Sequence, residues 1–107
     1  MEPEKDVIQY EVADNGICTI WLNRPHVKNC VRPQLPRDLE AAVGRAADDS
    51  KVLAVVFRGR GNTFCAGADL GQLVGPVLHE TSTSLQLAIG SARTYDKIYN
   101  MKKPTIA

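Results

Sequence analysis

The strongest restriction on the fold is a continuous apolar run that leads directly into a glycine-rich stretch. The run Val52–Phe57 is rich in β-branched residues and lacks polar alternation, which predicts a strand covered on both faces, as in a parallel sheet. Arg58–Gly67 follows as a predicted loop. Loops at the carboxyl ends of such strands bind ligands in α/β proteins. We therefore expect an α/β fold with a candidate site in this loop.

Two further strands and a tight turn are predicted before this run. Val7–Val12 alternates loosely and Ile17–Leu22 more regularly, so both are predicted to be strands. Asn15-Gly16 between them predicts a hairpin, because both central positions of the favoured two-residue turn adopt positive φ. A helical segment separates Ile17–Leu22 from Val52–Phe57, and this strand, helix, strand order favours a right-handed crossover.

Two helices are predicted from apolar residues that recur at helical spacing. The first begins near Pro33, since proline suits a first turn, and its apolar positions are Leu35, Leu39, Ala42, Val43 and Ala46. The apolar positions of the second are Leu85, Ala88, Ile89, Ala92, Tyr95, Ile98 and Tyr99. Lys102-Lys103 fits the C-terminal end of the second helix, where cations complement the dipole. Pro104 stops that helix, and Thr105–Ala107 predicts the start of another strand.

Composition and charge argue against several classes of function. The 107 residues carry a net charge of +1 with cations and anions interspersed, so no basic block predicts binding to nucleic acid or to a membrane. The polar start of the chain lacks the apolar run of a signal peptide. Its three cysteines are widely spaced without a zinc pattern. We expect reduced thiols, a cytoplasmic location and no metal site.

The glycine-rich loop predicts a place for a negative charge. Residues 66–68 are small enough for a ligand to approach the backbone closely. Asp69 is a good N-cap with Gln72 three residues later, so a helical turn is predicted from Asp69 until Gly75-Pro76 breaks it. The N–H groups near Ala68 would then lie unpaired at the positive end of the dipole. A tight turn that needs small residues for packing alone explains the same spacing.

Three motifs occur in an order typical of one protein family. They are Phe64–Leu70 (FCAGADL), Leu22–Pro25 (LNRP) followed by Asn29-Cys30, and Lys103–Ala107 (KPTIA). Together they resemble the N-terminal portion of the crotonase superfamily, the enoyl-CoA hydratase/isomerase family. The resemblance covers nearly the whole chain, although Cys30 stands where that family usually has an alanine.

The resemblance implies an incomplete α/β fold, the N-terminal part of the crotonase-type ββα spiral (the ClpP/crotonase fold). Residues 1–107 would form one partial acyl-CoA-binding domain, with a core from about residue 7 and its C-terminal remainder absent. The implied substrate is an acyl-CoA or enoyl-CoA, with no cofactor apart from the coenzyme A of that substrate. The implied assembly of the full-length protein is a homotrimer or hexamer.

The resemblance also implies roles for individual residues. The Ala68 N–H would be the first of two oxyanion donors. The contacts to substrate and coenzyme A would come from Val27, Lys28, Ala66, Gly67, Ala68, Asp69 and Leu70, mostly through backbone atoms. Lys28 could offer a cation to the phosphates, although a solvated loop lysine explains it equally well. Apart from the resemblance, Arg58 and Arg60 in the R-G-R-G run could also contact phosphate, but a solvated loop is the stronger interpretation.

The leading hypothesis is an enoyl-CoA hydratase/isomerase-like enzyme that stabilises a thioester enolate in an oxyanion hole. In the family the hydratase carboxylates lie beyond residue 107, so this chain alone is expected to be inactive. The alternative is a truncated or non-catalytic member that binds acyl-CoA or a protein partner. Hydratase, isomerase, dehalogenase, decarboxylase and thioester hydrolase reactions share this loop, so the choice among them stays open.

Overall fold

The computed structural model of the chain describes residues 4–69 and 81–107, without the side chains of residues 81–87. In these ranges a four-stranded sheet has the order β1-β2-β3-β4. The elements are β1 (Ile8–Val12), β2 (Ile17–Leu22), α1 (Gln34–Asp48), β3 (Ala54–Gly59), α2 (Thr81–Tyr99) and β4 (Thr105–Ile106), with a short 3₁₀ helix at Pro25–Val27. β1 is antiparallel to β2, whereas β3 pairs in parallel with both β2 and β4. These parallel pairs confirm the predicted α/β class.

The β1–β2 hairpin is confirmed, but its turn differs from the expected one. The Gly16 N–H donates to the Ala13 oxygen at 2.9 Å, and the Ala13 N–H donates to the Ile17 oxygen at 2.9 Å. Gly16 has a φ of +87°, whereas Asn15 is not left-handed. The left-handed residue, Gly16, therefore follows the two central turn residues instead of being one of them. This arrangement is a common longer hairpin connection. The Asn15 side chain instead accepts the Ile17 N–H at 3.1 Å.

The core lies between one face of the sheet and α1. Its buried residues are Cys18, Ile20, Ala42, Val43, Ala46, Val52, Val55 and Phe57. Buried and half-buried positions alternate along β3, so Val55 is buried and Val56 is not. The expected burial of both faces of β3 is therefore not reached among the described residues. The strand also begins at Ala54, two residues later than predicted, and Leu53 before it is 66% exposed.

Both predicted helices are present, but most of the described apolar positions of α2 are exposed. Ile89 is 47% exposed, Tyr95 67% and Tyr99 88%. Among the predicted positions Ile98 packs against the core. Thr94, which was not predicted, is buried, and its hydroxyl donates to the Pro36 oxygen at 3.1 Å. The apolar positions of α1 are buried as predicted at Leu35, Ala42, Val43 and Ala46. In the described part of the chain, no helix is both long and apolar enough to cross a membrane.

Lys103 stabilises the end of α1, not the end of α2 as the sequence pattern indicated. Its ammonium donates to the carbonyl oxygens of Ala46 at 2.8 Å and Asp49 at 2.6 Å. Ala46 lies in the last turn of α1, and Asp49 is its C-cap. The cation therefore complements the dipole of α1. The parallel pairing of β4 with β3 places Lys103 there, because residue 103 lies just before that strand.

Several predicted features lie outside the described residues. They are the continuation of the helical turn from Asp69 through Gln72, the break at Gly75-Pro76, and the substrate contact of Leu70. The handedness of the crossover between β2 and β3 also stays a prediction.

Candidate functional site

Two loops lie side by side at one edge of the sheet. One follows β2 and the other follows β3, and the carboxyl ends of parallel neighbours meet at the same edge. Val31 and Ala68 form a parallel bridge. The Val31 N–H donates to the Gly67 oxygen at 2.7 Å, and the Asp69 N–H donates to the Val31 oxygen at 2.8 Å. A third bond, from the Ala66 N–H to the Lys28 oxygen at 3.0 Å, extends the pairing.

The bridge fixes the direction of the Ala68 N–H. In a trans peptide the C=O and the following N–H point in opposite directions, and the Gly67–Ala68 peptide is trans. Since the Gly67 C=O points at Val31, the Ala68 N–H points away from Val31. Ala68 is exposed, and within residues 4–69 and 81–107 its N–H has no acceptor. The paired loops therefore present a free backbone donor on their outer side.

Asn29 holds the two loops together from inside. It is fully buried, and its Oδ1 accepts the Arg24 N–H at 2.7 Å. Its Nδ2 donates to the carbonyl oxygens of Arg60 at 3.0 Å and Thr63 at 2.8 Å. The backbone of Asn29 has a φ of +54°, a left-handed conformation that asparagine adopts more readily than most residues. One amide group thus ties the loop after β2 to the loop after β3.

A buried arginine links both loops to the start of the chain. The Arg24 side chain is 3% exposed, and its Nε and Nη2 donate to the two Glu4 carboxylate oxygens at 2.8 and 3.1 Å. Its Nη1 donates to the Cys30 carbonyl, and its Nη2 lies 3.5 Å from the Asp69 carboxylate. Glu4 also pairs with Arg32 at 3.0 Å. The hydrogen bond from Arg24 is the main cause that lowers the pKa of Glu4 from 4.5 to about 2.

Similarity to known proteins covers most of the chain. A family model described as enoyl-CoA hydratase/isomerase matches residues 12–107. The chain belongs to this family. A Thermus thermophilus relative, named as a candidate enoyl-CoA hydratase, is 30% identical over 97 residues, which are 91% of this chain and 38% of the relative. The probable enoyl-CoA hydratase EchA14 of Mycobacterium tuberculosis is 43% identical over 61 residues, which are 57% of this chain and 24% of the relative. This chain therefore spans well under half the length of these relatives.

Solved structures of the enoyl-CoA hydratase/isomerase family have the same fold over this region. An enoyl-CoA hydratase of Mycobacterium smegmatis superposes with a TM-score of 0.85 at 29% identity, over 99% of this chain and 39% of that one. A Legionella pneumophila protein named as a candidate enoyl-CoA hydratase/isomerase (crotonase) superposes with a TM-score of 0.86 at 26% identity, over 94% and 38%. These matches confirm the expected partial crotonase-type fold.

The structure brings most of the predicted site residues of this family member together. Ala66, Gly67 and Ala68 are exposed, and Asp69 is half-buried beside them. Lys28 lies against this segment through its carbonyl, with an exposed side chain and a φ of +54°. Val27 is half-buried in the short 3₁₀ helix one residue earlier. Leu70 lies outside the described residues.

Three residues of the site were missed by sequence reasoning: Glu4, Arg24 and Asn29. Arg24 and Asn29 belong to the family motif, but nothing in their spacing indicates that both side chains are buried. Both residues entered the sequence analysis only as parts of that motif. The available signal was the motif itself, because polar side chains that become buried in a loop usually satisfy backbone groups there.

Arg58 and Arg60 both contact side chains of the neighbouring strands, which the interpretation as solvated loop residues did not predict. Both guanidinium groups stack on the Trp21 ring, at 4.6 Å and 3.7 Å from its centroid. Arg60 also donates to Gln9 at 2.8 Å and pairs with Glu11 at 3.1 Å. Arg58 lies within β3, so the glycine-rich loop begins later than predicted. These contacts account for the two arginines of the R-G-R-G run.

Proposed function

We propose that this family member binds an acyl-CoA thioester with the carbonyl oxygen on the Ala68 N–H, the first donor of an oxyanion hole. The observation that supports this proposal is the direction of the Ala68 N–H. This N–H points away from Val31 and has no acceptor among the described residues, and Ala68 is exposed. Negative charge grows on the thioester oxygen as an enolate forms, so this hydrogen bond strengthens toward the transition state. One such donor is typically worth about 10²–10³ in rate.

The surrounding backbone is proposed to hold coenzyme A. Val27, Lys28 and residues 66–69 form the two adjoining segments, and Leu70 continues the second. The Lys28 side chain is exposed, so its ammonium is available to a phosphate group as a point charge. Coenzyme A enters as part of the substrate, and no separate cofactor is proposed.

The reaction proposed for the whole enzyme is the addition of water to, or the migration of, a double bond next to the thioester. Either reaction needs an acid–base group beside the enolate. The carboxylate nearest in sequence to Ala68 belongs to Asp69, which lies 3.5 Å from the Arg24 guanidinium. Because that carboxylate is paired with Arg24, we expect little or no turnover by the 107-residue chain alone. The catalytic assembly is proposed to be a homotrimer or hexamer.

The experiment is a titration of the ¹⁵N-labelled chain with butyryl-CoA and, separately, with free coenzyme A. The Ala68 amide proton is expected to move downfield with butyryl-CoA only, because free coenzyme A has no thioester carbonyl. Ala68→Pro removes the N–H and should reduce the preference for butyryl-CoA over coenzyme A about tenfold, the value of one hydrogen bond. Ala68→Gly keeps the N–H and is the matched control.

Two outcomes would count against this function. Equal amide shifts with butyryl-CoA and coenzyme A would show that the thioester carbonyl does not reach Ala68. An unchanged preference in Ala68→Pro would show that its N–H is not the donor. Crotonyl-CoA added to the same preparation should keep its enoyl absorbance, and measurable hydration would contradict the expected inactivity of the chain alone.

A further inference from the structure

Arg24 contacts both sides of the pairing that directs the Ala68 N–H. On one side its Nη1 donates to the carbonyl of Cys30, the residue before Val31. On the other its Nη2 lies 3.5 Å from the carboxylate of Asp69, the residue after Ala68. A guanidinium is planar and presents its donors in a fixed fork, so contacts at both ends restrain the two loops relative to each other.

Glu4 fixes the orientation of that fork. Its two carboxylate oxygens accept from Nε and Nη2 of Arg24, which is the bidentate arrangement with the best-defined geometry. The same carboxylate accepts from Arg32 at 3.0 Å, and Arg32 follows Val31 directly. Glu4 is itself held in place, since its N–H donates to the Gln34 side chain at 3.0 Å and its carbonyl accepts from that side chain at 2.7 Å.

We propose that Arg24, oriented by Glu4, is a positioning residue that aims the Ala68 N–H at the thioester oxygen. This inference rests on the proposed function, because it assumes that a thioester occupies that donor. Neither side chain touches the reacting atoms. Their effect passes through Cys30 and Asp69 to the backbone of the bridge, where a small rotation of the Gly67–Ala68 peptide changes the angle of the hydrogen bond.

A purely structural arginine would behave differently. Its loss would lower stability while the surviving folded molecules kept the same donor geometry. A positioning arginine changes the polarisation of the bound carbonyl even in molecules that remain folded. The two roles therefore separate when the carbonyl itself is observed in the complex.

The experiment uses butyryl-CoA labelled with ¹³C at the thioester carbonyl and records the infrared stretching frequency of that carbonyl in the complex with the 107-residue chain. A hydrogen bond to the oxygen lowers this frequency. Arg24→Lys keeps the charge but loses the fork, and Glu4→Gln keeps the shape but loses the carboxylate pair. Both variants should retain less than about half of the wild-type frequency shift at saturating ligand.

Glu40→Gln is the matched control. It removes a carboxylate that pairs with Lys97 at 3.2 Å and Arg93 at 4.0 Å, between α1 and α2 and outside the paired loops. Its complex should show the wild-type frequency shift. Circular dichroism and the unfolding midpoint of each variant identify the folded fraction before the spectra are compared.

Each result decides for or against the inference. A full frequency shift in Arg24→Lys and Glu4→Gln would overturn it and leave a structural role only. If Arg24→Lys does not fold, Glu4→Gln decides, because the Glu4 side chain is 29% exposed and its loss is the milder change. Wild-type binding without any frequency shift would instead contradict the proposed oxyanion donor. That result is distinguishable from failure of the Arg24 proposal because it is obtained with the wild-type chain alone.

Discussion

At the scale of single residues, Asn29 holds the candidate site together through three backbone partners. Its side chain accepts from the Arg24 N–H and donates to the carbonyls of Arg60 and Thr63, and it is fully buried. Buried backbone groups that lose a partner cost more than the hydrogen bond itself contributed. The two loops therefore depend on this amide for their mutual position.

Asn29→Ala should lower the free energy of unfolding by about 2–4 kcal/mol, because one substitution leaves three buried backbone groups without their partner. Urea unfolding followed by circular dichroism measures this change. Asn100→Ala is the control, since Asn100 is exposed and its side chain donates, among the described residues, to Asp96 four residues earlier. That control should change stability by no more than about 0.5 kcal/mol. Equal effects of the two substitutions would contradict the assigned role of Asn29.

The sequence predicted the loop around Ala68 but not the side chains that hold this loop in place. The small residues before Asp69 and the family motif point directly to the Ala68 loop. The partners of Asn29 lie up to 34 residues away, and the Arg24 contact to Asp69 spans 45 residues. Such contacts depend on which loops the sheet brings together. Local spacing carries no information on that, so both residues were read only as parts of a motif.

At the scale of elements, the end of β3 is shaped by a close approach at Gly59. A Cβ added at Gly59 would lie 2.6 Å from the Phe64 oxygen, 2.7 Å from the Thr63 oxygen and 2.8 Å from the Asn29 amide nitrogen. Two of these atoms belong to the backbone, which cannot move away as a flexible side chain can. The strand thus ends where the glycine-rich loop folds back against it.

Gly59→Ala should destabilise the chain by about 1–3 kcal/mol, the usual cost of overpacking, and should disturb the Ala68 amide resonance because the loop must shift. Gly90→Ala is the contrasting substitution, because a Cβ there meets nothing within 4 Å and the residue lies inside α2. It should stabilise by about 0.5–1 kcal/mol through helix propensity. Thermal or urea unfolding of both variants gives the signs. A stabilising Gly59→Ala would show that the loop does not approach the strand as described.

Elements were predictable where local chemistry decides them. The hairpin followed from Asn15-Gly16, and the periodicity of the first helix located α1 correctly. The predicted start of β3 was too early because the apolar run begins at Val52, which is buried without belonging to the strand. Lys103 was assigned to the wrong helix because sequence proximity favours α2. The partner that it reaches depends on the pairing of β4 with β3.

At the scale of the whole molecule, the Glu4 carboxylate pairs with Arg24 and Arg32, which lie in the loop after β2. Its pKa is lowered from 4.5 to about 2, mainly by the hydrogen bond from Arg24, with Arg32 and His26 adding to the effect. A carboxyl whose pKa is depressed on folding stabilises the folded state while it is ionised. Its contribution is complete above the unfolded pKa and disappears as the pH falls through the folded pKa.

Stability should therefore depend on Glu4 in a defined pH window. The free energy of unfolding of the wild type should exceed that of Glu4→Gln by about 1–2 kcal/mol near neutral pH, a figure reduced for solvent screening of this partly exposed group. The difference should shrink as the pH falls from 4.5 to about 2, because protonated Glu4 resembles glutamine. Urea unfolding of both proteins across this window measures the difference directly, and the other carboxyls cancel because both proteins contain them. A difference that stays constant down to about pH 2 would mean that Glu4 is not held ionised by Arg24. In that case Arg24 would restrain the two loops through Cys30 and Asp69 without the Glu4 carboxylate.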